Sequence, residues 1–244
     1  MKRSGVTLIE VMIAVSLLSL LSLGNLTSLR VGMGALQRTD RRLMDNRRVA
    51  GAQRILEQQL AGFIPVVAVA VPPSGPPVKV PFFEGRGQSM RLVSSYSLSE
   101  AARGMAQVLE FQVIPGEQGH GVRLVVNETA YTGPRSAGVF CLGLGPDAEL
   151  GVATQRFLPI SIGPGSFVLA DRLAYCRFSF LGFLTDKNVE QWLPNWISPK
   201  WPAGIRIEMA SLDTDLVSLK PVTVTVPFRV NRDPNLQYAD EEPE

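Results

Sequence analysis

The sequence predicts an α+β fold, in which a long N-terminal helix with a transmembrane first half packs on an antiparallel β-rich domain. Three observations predict it. An apolar run over residues 6–29 continues into a helical apolar stripe that reaches Phe63, so one helix is predicted over 6–63. Prolines and glycines then crowd residues 64–87. Short segments with strand-like alternation fill residues 88–230, which we predict to be the globular domain.

The first element is long enough to cross a bilayer. Lys2 and Arg3 precede an apolar run from Val6 to Leu29 that contains one acid, Glu10, and otherwise only small polar residues. About 20 apolar residues span the hydrocarbon core as a helix, and basic flanks stay in the cytoplasm. No Ala-x-Ala-like cleavage site follows Leu29, so this is not a plain secretory signal. We therefore expect a single-pass anchor that places the rest of the chain across the membrane.

The residues around Glu10 resemble a known signal. The leader Lys-Arg-Ser-Gly over 2–5, followed by Val-Thr-Leu-Ile-Glu-Val-Met-Ile-Ala over 6–14, resembles the class III signal of type IV pilins and type II secretion pseudopilins. The resemblance implies that residues 1–5 are a prepilin leader. It implies that prepilin peptidase cuts between Gly5 and Val6 and methylates the new amino terminus of Val6, where the family most often has Phe.

The resemblance also implies an assembly role for Glu10. A carboxylate is costly in the hydrocarbon core, but a charge pair is tolerated there when both partners are present. In the pilin-like family the partner would be the positive amino terminus of a neighbouring subunit. The alternative is a monomeric anchor in which Glu10 is protonated or extends to the headgroups.

Beyond the membrane segment, the helical pattern continues to Phe63. An apolar stripe recurs at steps of three and four, and Gln59 falls among the polar positions. Pro65 cannot continue the helix. The stripe comprises Val49, Ala52, Leu56, Leu60 and Phe63. We expect a bend or local melting at the poor helix formers Gly24, Asn25, Gly32 and Gly34.

Arginines cluster just after the membrane segment, although the formal net charge of the 244-residue chain is only +2. They stand at positions 30, 38, 41, 42, 47, 48 and 54. A nucleic-acid arm is one interpretation, and a solvated helix face near lipid headgroups is the other. No aromatic residue is interleaved with these arginines to stack on bases, so we expect no nucleic-acid partner.

The rest of the chain is predicted as an irregular connector, short strands and a tail. The connector over 64–87 contains six prolines and several glycines. The tail over 231–244 is acidic and has little to bury. The predicted strands are Ser89–Ser95, Val108–Ile114, Val122–Asn127, Val139–Leu142, Phe167–Asp171, Leu173–Phe183, Ile205–Leu212 and Val222–Val230.

The back half carries a second resemblance. The segments Leu173–Leu181, Val189–Trp192 and Trp201–Glu208 are similar to minor pseudopilins of the J class, with Trp201 where Leu is usual, and also to minor pilins of the W type. The J-class resemblance implies a pilin-like fold with two sheets. It also implies a minor pseudopilin of a type II secretion system, which helps to initiate or cap the periplasmic pseudopilus.

These resemblances imply a bacterial inner-membrane protein with its C-terminal domain in the periplasm. The implied partners are minor pseudopilins of the I and K classes, the major pseudopilin, prepilin peptidase and the inner-membrane assembly platform. One alternative is a W-type minor pilin of a type IV pilus or DNA-uptake machine. Another is a membrane-anchored periplasmic enzyme.

Catalytic and metal-binding patterns are weak in this sequence, so we expect no enzyme activity, no cofactor and no metal. The only histidine, His120, stands in a glycine-rich turn, and no nucleophile elbow or metal motif accompanies it. The acids at 147–149 and 213–215 lack the spacing of a calcium loop. The tryptophans at 192, 196 and 201 either form a contact surface or fold onto the core.

Cys141 and Cys176 are the only cysteines. An extracytoplasmic domain permits a disulfide, which would contribute about 3.5–4 kcal/mol by closing the loop between them. Two buried thiols apart from each other are the alternative, and the sequence leaves both open.

Overall fold

The computed structural model describes residues 7–71, 76–146, 153–184, 189–212 and 221–228, and for residues 37–49 it describes the backbone only. The chain divides into two compact units, Met1–Arg48 and Val49–Glu244. Helix α1 covers Leu8–Ala61. Its helical hydrogen bonding continues through Gly24, Asn25, Gly32 and Gly34, so the local melting that we expected there is absent. Helix propagation is cooperative, so the good helix formers on both sides keep these residues helical.

The second unit is built mainly of strands. Helix α1 ends at Ala61, two residues before the predicted end, because Phe63 already pairs with Ser94 in the sheet. A short helix, α2 (Pro134–Gly138), follows the seventh strand. In the described residues the strands are β1 (Phe63–Ile64), β2 (Val67–Ala70), β3 (Val78–Pro81), β4 (Glu84–Arg86), β5 (Ser89–Ser97), β6 (Ala102–Pro115), β7 (Val122–Ala130), β8 (Cys141–Pro146), β9 (Ala153–Phe157), β10 (Phe167–Leu184), β11 (Val189–Leu193), β12 (Gly204–Ser211) and β13 (Val222–Pro227).

These strands form one large antiparallel sheet and two small ones. The nine-stranded sheet has the order β1-β5-β6-β7-β10-β12-β13, with β4 added beside β5 and β11 beside β10. The hairpins β2-β3 and β8-β9 are the two small sheets. The predicted α+β class with an antiparallel β-rich domain is confirmed. In the described residues the sheets number three, where the J-class resemblance implied two.

The nine-stranded sheet is covered on both faces. On one face, alternate residues such as Leu92 and Phe111 pack with Leu56 of α1 in the larger core cluster. On the other face, Val93 and Val108 pack with residues of the two small sheets and α2. Because side chains alternate between the faces of a strand, β5 and β6 contribute to both clusters. We call the face of the sheet that packs against α1 the helix face, and the face that packs against the two small sheets and α2 the hairpin face.

The C-terminal part of α1 is attached to the sheet by its apolar stripe. Ala52, Leu56 and Leu60 are fully or almost fully buried. Burying each leucine side chain contributes about 1.5–3 kcal/mol. Gln59 corrects the prediction, because its side chain is also fully buried although we placed it among the polar positions. The backbone carbonyl oxygen of Gln59 accepts a hydrogen bond from Ser94 Oγ at 2.7 Å, which holds this helix turn against β5.

The predicted connector over 64–87 is wrong for the residues that the structure describes. Strands β2, β3 and β4 lie within this range, and β1 ends at its first residue, Ile64. The prolines that the structure describes in this range fall between strands or at their ends: Pro65 separates β1 from β2, and Pro81 is the last residue of β3. Proline is tolerated at strand ends, and the apolar residues Val67, Ala68 and Val80 are buried.

Most predicted strands are present with shifted bounds. The alternation that we predicted around Cys176, Phe178 and Phe180 is confirmed, since these three residues are buried and Arg177 between them is exposed. The two strands predicted over 167–183 are one strand, β10, whose register shifts between Ala170 and Leu173. Strand β8 begins two residues later than predicted, because α2 and a turn occupy residues 134–140. The predicted tail over 231–244 and the end of the last strand lie outside the described residues.

Candidate functional site

The N-terminal part of α1 is an exposed apolar surface. The segment Leu8–Leu36 has a mean hydropathy of 1.9, and none of its most apolar window is buried. Leu8 is 82% exposed and Leu20 is 67% exposed. Water does not stabilise so many exposed leucines, whereas a bilayer or other apolar helices would bury them. By length and composition this segment can cross a membrane, and it extends beyond the predicted 6–29.

Three of the hydroxyl groups within this segment are satisfied by the helix itself. Ser16 Oγ donates to the carbonyl oxygen of Met12 at 2.8 Å, and Ser19 Oγ donates to that of Val15 at 2.8 Å. Thr27 Oγ1 donates to the carbonyl oxygen of Leu23 at 3.0 Å. A hydrogen bond made within the helix removes the cost of placing a hydroxyl in hydrocarbon. These residues therefore need no partner from another chain.

Glu10 is different from these hydroxyl residues. It lies in the first turn of α1, where its backbone N–H donates to the carbonyl oxygen of Thr7 at 3.1 Å and its side chain is exposed. The part of the chain that the structure describes offers its carboxylate no ion-pair partner. A negative charge in the first turn is favoured by the helix dipole, but that contributes only about 0.3–1 kcal/mol. Glu10 therefore requires a cation from elsewhere if it is charged in lipid. Gly5 and Val6, the predicted cleavage and methylation residues, lie outside the described residues.

A comparison with known families identifies this segment. Residues 1–24 match the prokaryotic N-terminal methylation motif. The chain carries a type IV pilin-like prepilin signal. This signal implies processing by prepilin peptidase and assembly with other pilins, and a single N-terminal apolar helix is consistent with anchoring in the inner membrane. It is typical of structural rather than enzymatic proteins. No curated protein matches the chain.

The other candidate residues lie apart from the prepilin signal. His120 is exposed in the turn between β6 and β7. Trp196 and Trp201 pack against the core, which agrees with the interpretation that the tryptophans fold onto it. Trp192 lies under the guanidinium of Arg206, 4.0 Å from its Cζ to the ring centroid. The candidate calcium-binding acids at 147–149 and 213–215 are outside the described residues.

Cys141 and Cys176 are free, buried thiols. Cys176 belongs to the cluster on the helix face and Cys141 to the cluster on the hairpin face, so the nine-stranded sheet lies between them. Burial raises the pKa of each thiol to about 12. A thiol with so high a pKa is almost entirely protonated at neutral pH and is a poor nucleophile.

Sequence reasoning missed a row of polar residues that crosses the hairpin face. Glu84, Arg91, Glu110 and Asn127 are directly opposite one another on β4, β5, β6 and β7. Arg91 is fully buried, and Glu110 is 8% exposed. Directly opposed charges of opposite sign on neighbouring strands attract each other. A signal was present, because Arg91 interrupts the apolar run of Met90, Leu92 and Val93.

Arg91 connects this row to the segment that covers it. Its Nε donates to Glu110 Oε1 at 2.8 Å, and its Nη1 donates to Glu84 Oε2 at 2.6 Å. Its Nη2 donates to the carbonyl oxygen of Leu158 at 2.8 Å. The guanidinium also lies over the rings of Phe140 and Phe157, with its Cζ 5.5 and 5.2 Å from their centroids. Arg91 therefore ties the β8-β9 hairpin to the large sheet.

Glu84 has a perturbed pKa. Burial raises the pKa of Glu84 above its ordinary value of 4.5, although the nearby charges of Arg91 and Arg86 oppose the shift. The neighbouring carboxylate of Glu110 adds to the increase. Arg91 is thus shared between two carboxylates, and Arg86 Nε lies 3.8 Å from the other oxygen of Glu84.

Proposed function

We propose that this type IV pilin-like protein is a minor pseudopilin of a type II secretion system. In this role it helps to initiate or cap the periplasmic pseudopilus that drives protein export. The observation that carries the proposal is the methylation motif over residues 1–24, joined to an apolar helix and an antiparallel β-rich domain. The sequence similarity of residues 173–208 to J-class minor pseudopilins supports the finer assignment.

Processing prepares the anchor for assembly in this proposal. Prepilin peptidase removes residues 1–5 by cutting between Gly5 and Val6 and methylates the amino group of Val6. The mature chain then starts with a positive amine four residues before Glu10. The C-terminal domain lies in the periplasm, with the Leu8–Leu36 segment in the inner membrane. Minor pseudopilins of the I and K classes and the major pseudopilin are its partners, on the inner-membrane assembly platform.

Glu10 supplies the pairing group for the neighbouring subunit. Its carboxylate lies in the first turn of an exposed apolar helix and has no internal cation among the described residues. The amino terminus of an adjacent subunit is a positive group that reaches the same depth in the membrane. The pair removes the cost of an isolated charge in lipid. It forms only when neighbouring helices are offset so that Glu10 of one subunit meets the amino terminus of the next.

The test compares Glu10→Ala with Ser16→Ala in the full-length protein. Both residues are polar and exposed on the same helix, but the hydroxyl of Ser16 is already satisfied by Met12. Glu10→Ala is expected to insert and fold normally, yet to lose co-purification with other pilin-like subunits and to impair export. Ser16→Ala is expected to behave like wild type. Unimpaired assembly and export with Glu10→Ala would refute the pairing role.

A deletion of the gene distinguishes the secretion system from its closest alternative. The resemblance of residues 173–208 to W-type minor pilins makes a type IV pilus or DNA-uptake machine the second candidate. Loss of an exported enzyme from the culture medium, with piliation and transformation unchanged, is expected for the pseudopilin. Loss of pili or of DNA uptake with normal export would replace our proposal with the minor-pilin function.

A further inference from the structure

A cavity of about 240 Å³ opens at one end of the polar row. Its walls come from three parts of the second unit: β4, the β8-β9 hairpin and residues 195–199. The rim is apolar and accessible, since Leu144 is 63% exposed and Ile197 is 46% exposed. Aromatic side chains of Phe83, Phe157 and Trp196 line the interior. Neither the prepilin signal nor the anchor involves these residues.

The walls of the cavity are held in place by the fold. The backbone N–H of Trp196 donates to the carbonyl oxygen of Gly85 at 2.8 Å, and its indole Nε1 donates to that of Lys200 at 2.6 Å. The Trp196 ring meets the Phe83 ring edge-on, with 6.5 Å between centroids. A side chain bound between these rings would therefore meet a preformed site, which reduces the entropic cost of binding.

One oxygen of Glu84 lacks a donor in this cavity. Oε2 accepts the hydrogen bond from Arg91, whereas no hydrogen bond to Oε1 is present within the described residues. The nearest cation to Oε1 is Arg86 Nε at 3.8 Å, beyond hydrogen-bond distance. The side chain of Glu84 is only 18% exposed, so bulk water solvates it poorly. A mostly buried carboxylate that lines a cavity favours a ligand with a positively charged donor.

The composition of the cavity selects the kind of cation. A divalent metal needs several oxygen ligands, and the described residues contain no group of three acidic, histidine or cysteine side chains that could hold one. An organic cation with an apolar stem suits aromatic walls, because their faces attract positive charge and their area buries the stem. Thr154, Asn195 and Ser198 offer further acceptors in the lining of the cavity.

We infer that this cavity binds a basic side chain, lysine or arginine, presented by a partner protein, with its charged group on Oε1 of Glu84 and its stem between the aromatic walls. The apolar rim of Leu144 and Ile197 contacts the partner's surface around that side chain. The inference goes beyond the proposed function, because it is a binding property of the globular unit and does not depend on which secretion or pilus machine the chain serves.

The test titrates the full-length protein in detergent micelles with small capped amino acids. The probes are N-acetyl-arginine methylamide and N-acetyl-lysine methylamide, with the neutral N-acetyl-norleucine methylamide as the matched ligand. Binding is followed by the indole N–H signal of Trp196 in nitrogen-15 NMR spectra, and Trp192 and Trp201 serve as internal references outside the cavity. We expect a saturable shift of Trp196 with at least one basic probe, and binding about tenfold weaker with norleucine.

Three variants separate direct contact from general charge effects. Glu84→Gln keeps the shape and is expected to weaken binding of the basic probe about tenfold. Glu110→Gln removes a charge from the same row but does not line the cavity, so binding should change less than about threefold. Arg86→Gln removes a competing cation near Oε1 and should strengthen binding.

Equal binding of norleucine, or unchanged binding in Glu84→Gln, would overturn the inference. If Glu84→Gln does not fold, Arg86→Gln tests the site instead, because removal of the competing cation should strengthen binding of the basic probe. Unchanged or weaker binding in that variant counts against the site. The wild-type protein gives an independent check by pH. Its affinity for the basic probe should fall as Glu84 becomes protonated on acidification, and a pH-independent affinity would contradict the contact.

Discussion

Replacing Arg91 with methionine tests the energetic role of the buried polar row. Methionine retains the apolar stem and most of the volume, so the main loss is the guanidinium rather than a cavity. Three hydrogen bonds disappear, to Glu110 at 2.8 Å, Glu84 at 2.6 Å and the Leu158 carbonyl oxygen at 2.8 Å. Glu110 then loses its cation and Glu84 keeps only Arg86, whose Nε lies 3.8 Å from Oε1, in a mostly buried place.

The expected cost of Arg91→Met is about 3–5 kcal/mol, as for other buried ion pairs from which one partner is removed. That is a large share of the roughly 5–15 kcal/mol by which typical domains are stable. The measurement is urea unfolding of the full-length protein in micelles, followed by tryptophan fluorescence. The cost should shrink as pH falls, because protonation neutralises the two carboxyl groups that Arg91 no longer compensates.

Arg123→Met is the matched control. Arg123 also pairs with two acids, Asp171 on β10 and Glu117 in the turn between β6 and β7, but their side chains are 35% and 81% exposed, so water screens the interaction. We expect a loss of about 1 kcal/mol or less. A loss of similar size in both variants, or a loss of less than about 1 kcal/mol for Arg91→Met, would refute the argument that burial makes the polar row important for the free energy of unfolding. A cost for Arg91→Met that does not change with pH would refute the explanation by unpaired carboxylates.

Three further predictions concern other buried groups. Because burial raises the pKa of Glu84, the folded state binds a proton more tightly than the unfolded state. The contribution of Glu84 to stability is therefore lost as pH rises above about 4.5, and urea unfolding should find that this component of the pH dependence is absent in Glu84→Gln. Cys141 and Cys176 should react with a thiol reagent only after denaturation, as monitored by mass spectrometry, because they are buried with pKa values of about 12. Gln59→Leu should stabilise the protein by about 1–2 kcal/mol in urea unfolding, because both amide atoms are buried without a partner in the described residues, whereas Gln53→Leu should have little effect.

The parts of the fold that follow from local patterns were predictable. The apolar run of α1 and the stripe of Ala52, Leu56 and Leu60 are visible at fixed spacings in the sequence. The alternation in β10 is equally local. These patterns are set by the geometry of a single helix or strand, so they do not require knowledge of what packs against it.

The parts that depend on distant pairing were not predictable. Strands β1 to β4 were hidden because prolines, read as signs of an irregular connector, lie at strand ends such as Pro81. The row from Glu84 to Asn127 depends on the register of four strands, which no local pattern specifies. The separation of Cys141 and Cys176 by the sheet likewise required the tertiary structure. The register shift between Ala170 and Leu173 interrupts the alternation of β10, so the sequence pattern predicted two strands where the structure has one.

Mass spectrometry of the amino terminus of the mature protein, purified from its native membrane, tests the central claim most directly. A pilin-like assembly subunit is expected to begin at Val6 and to carry one methyl group on its amine. That amine is the positive group that we assign to pairing with Glu10 of a neighbouring subunit. A mature chain that retains Met1, or that begins anywhere other than Val6, would contradict the account.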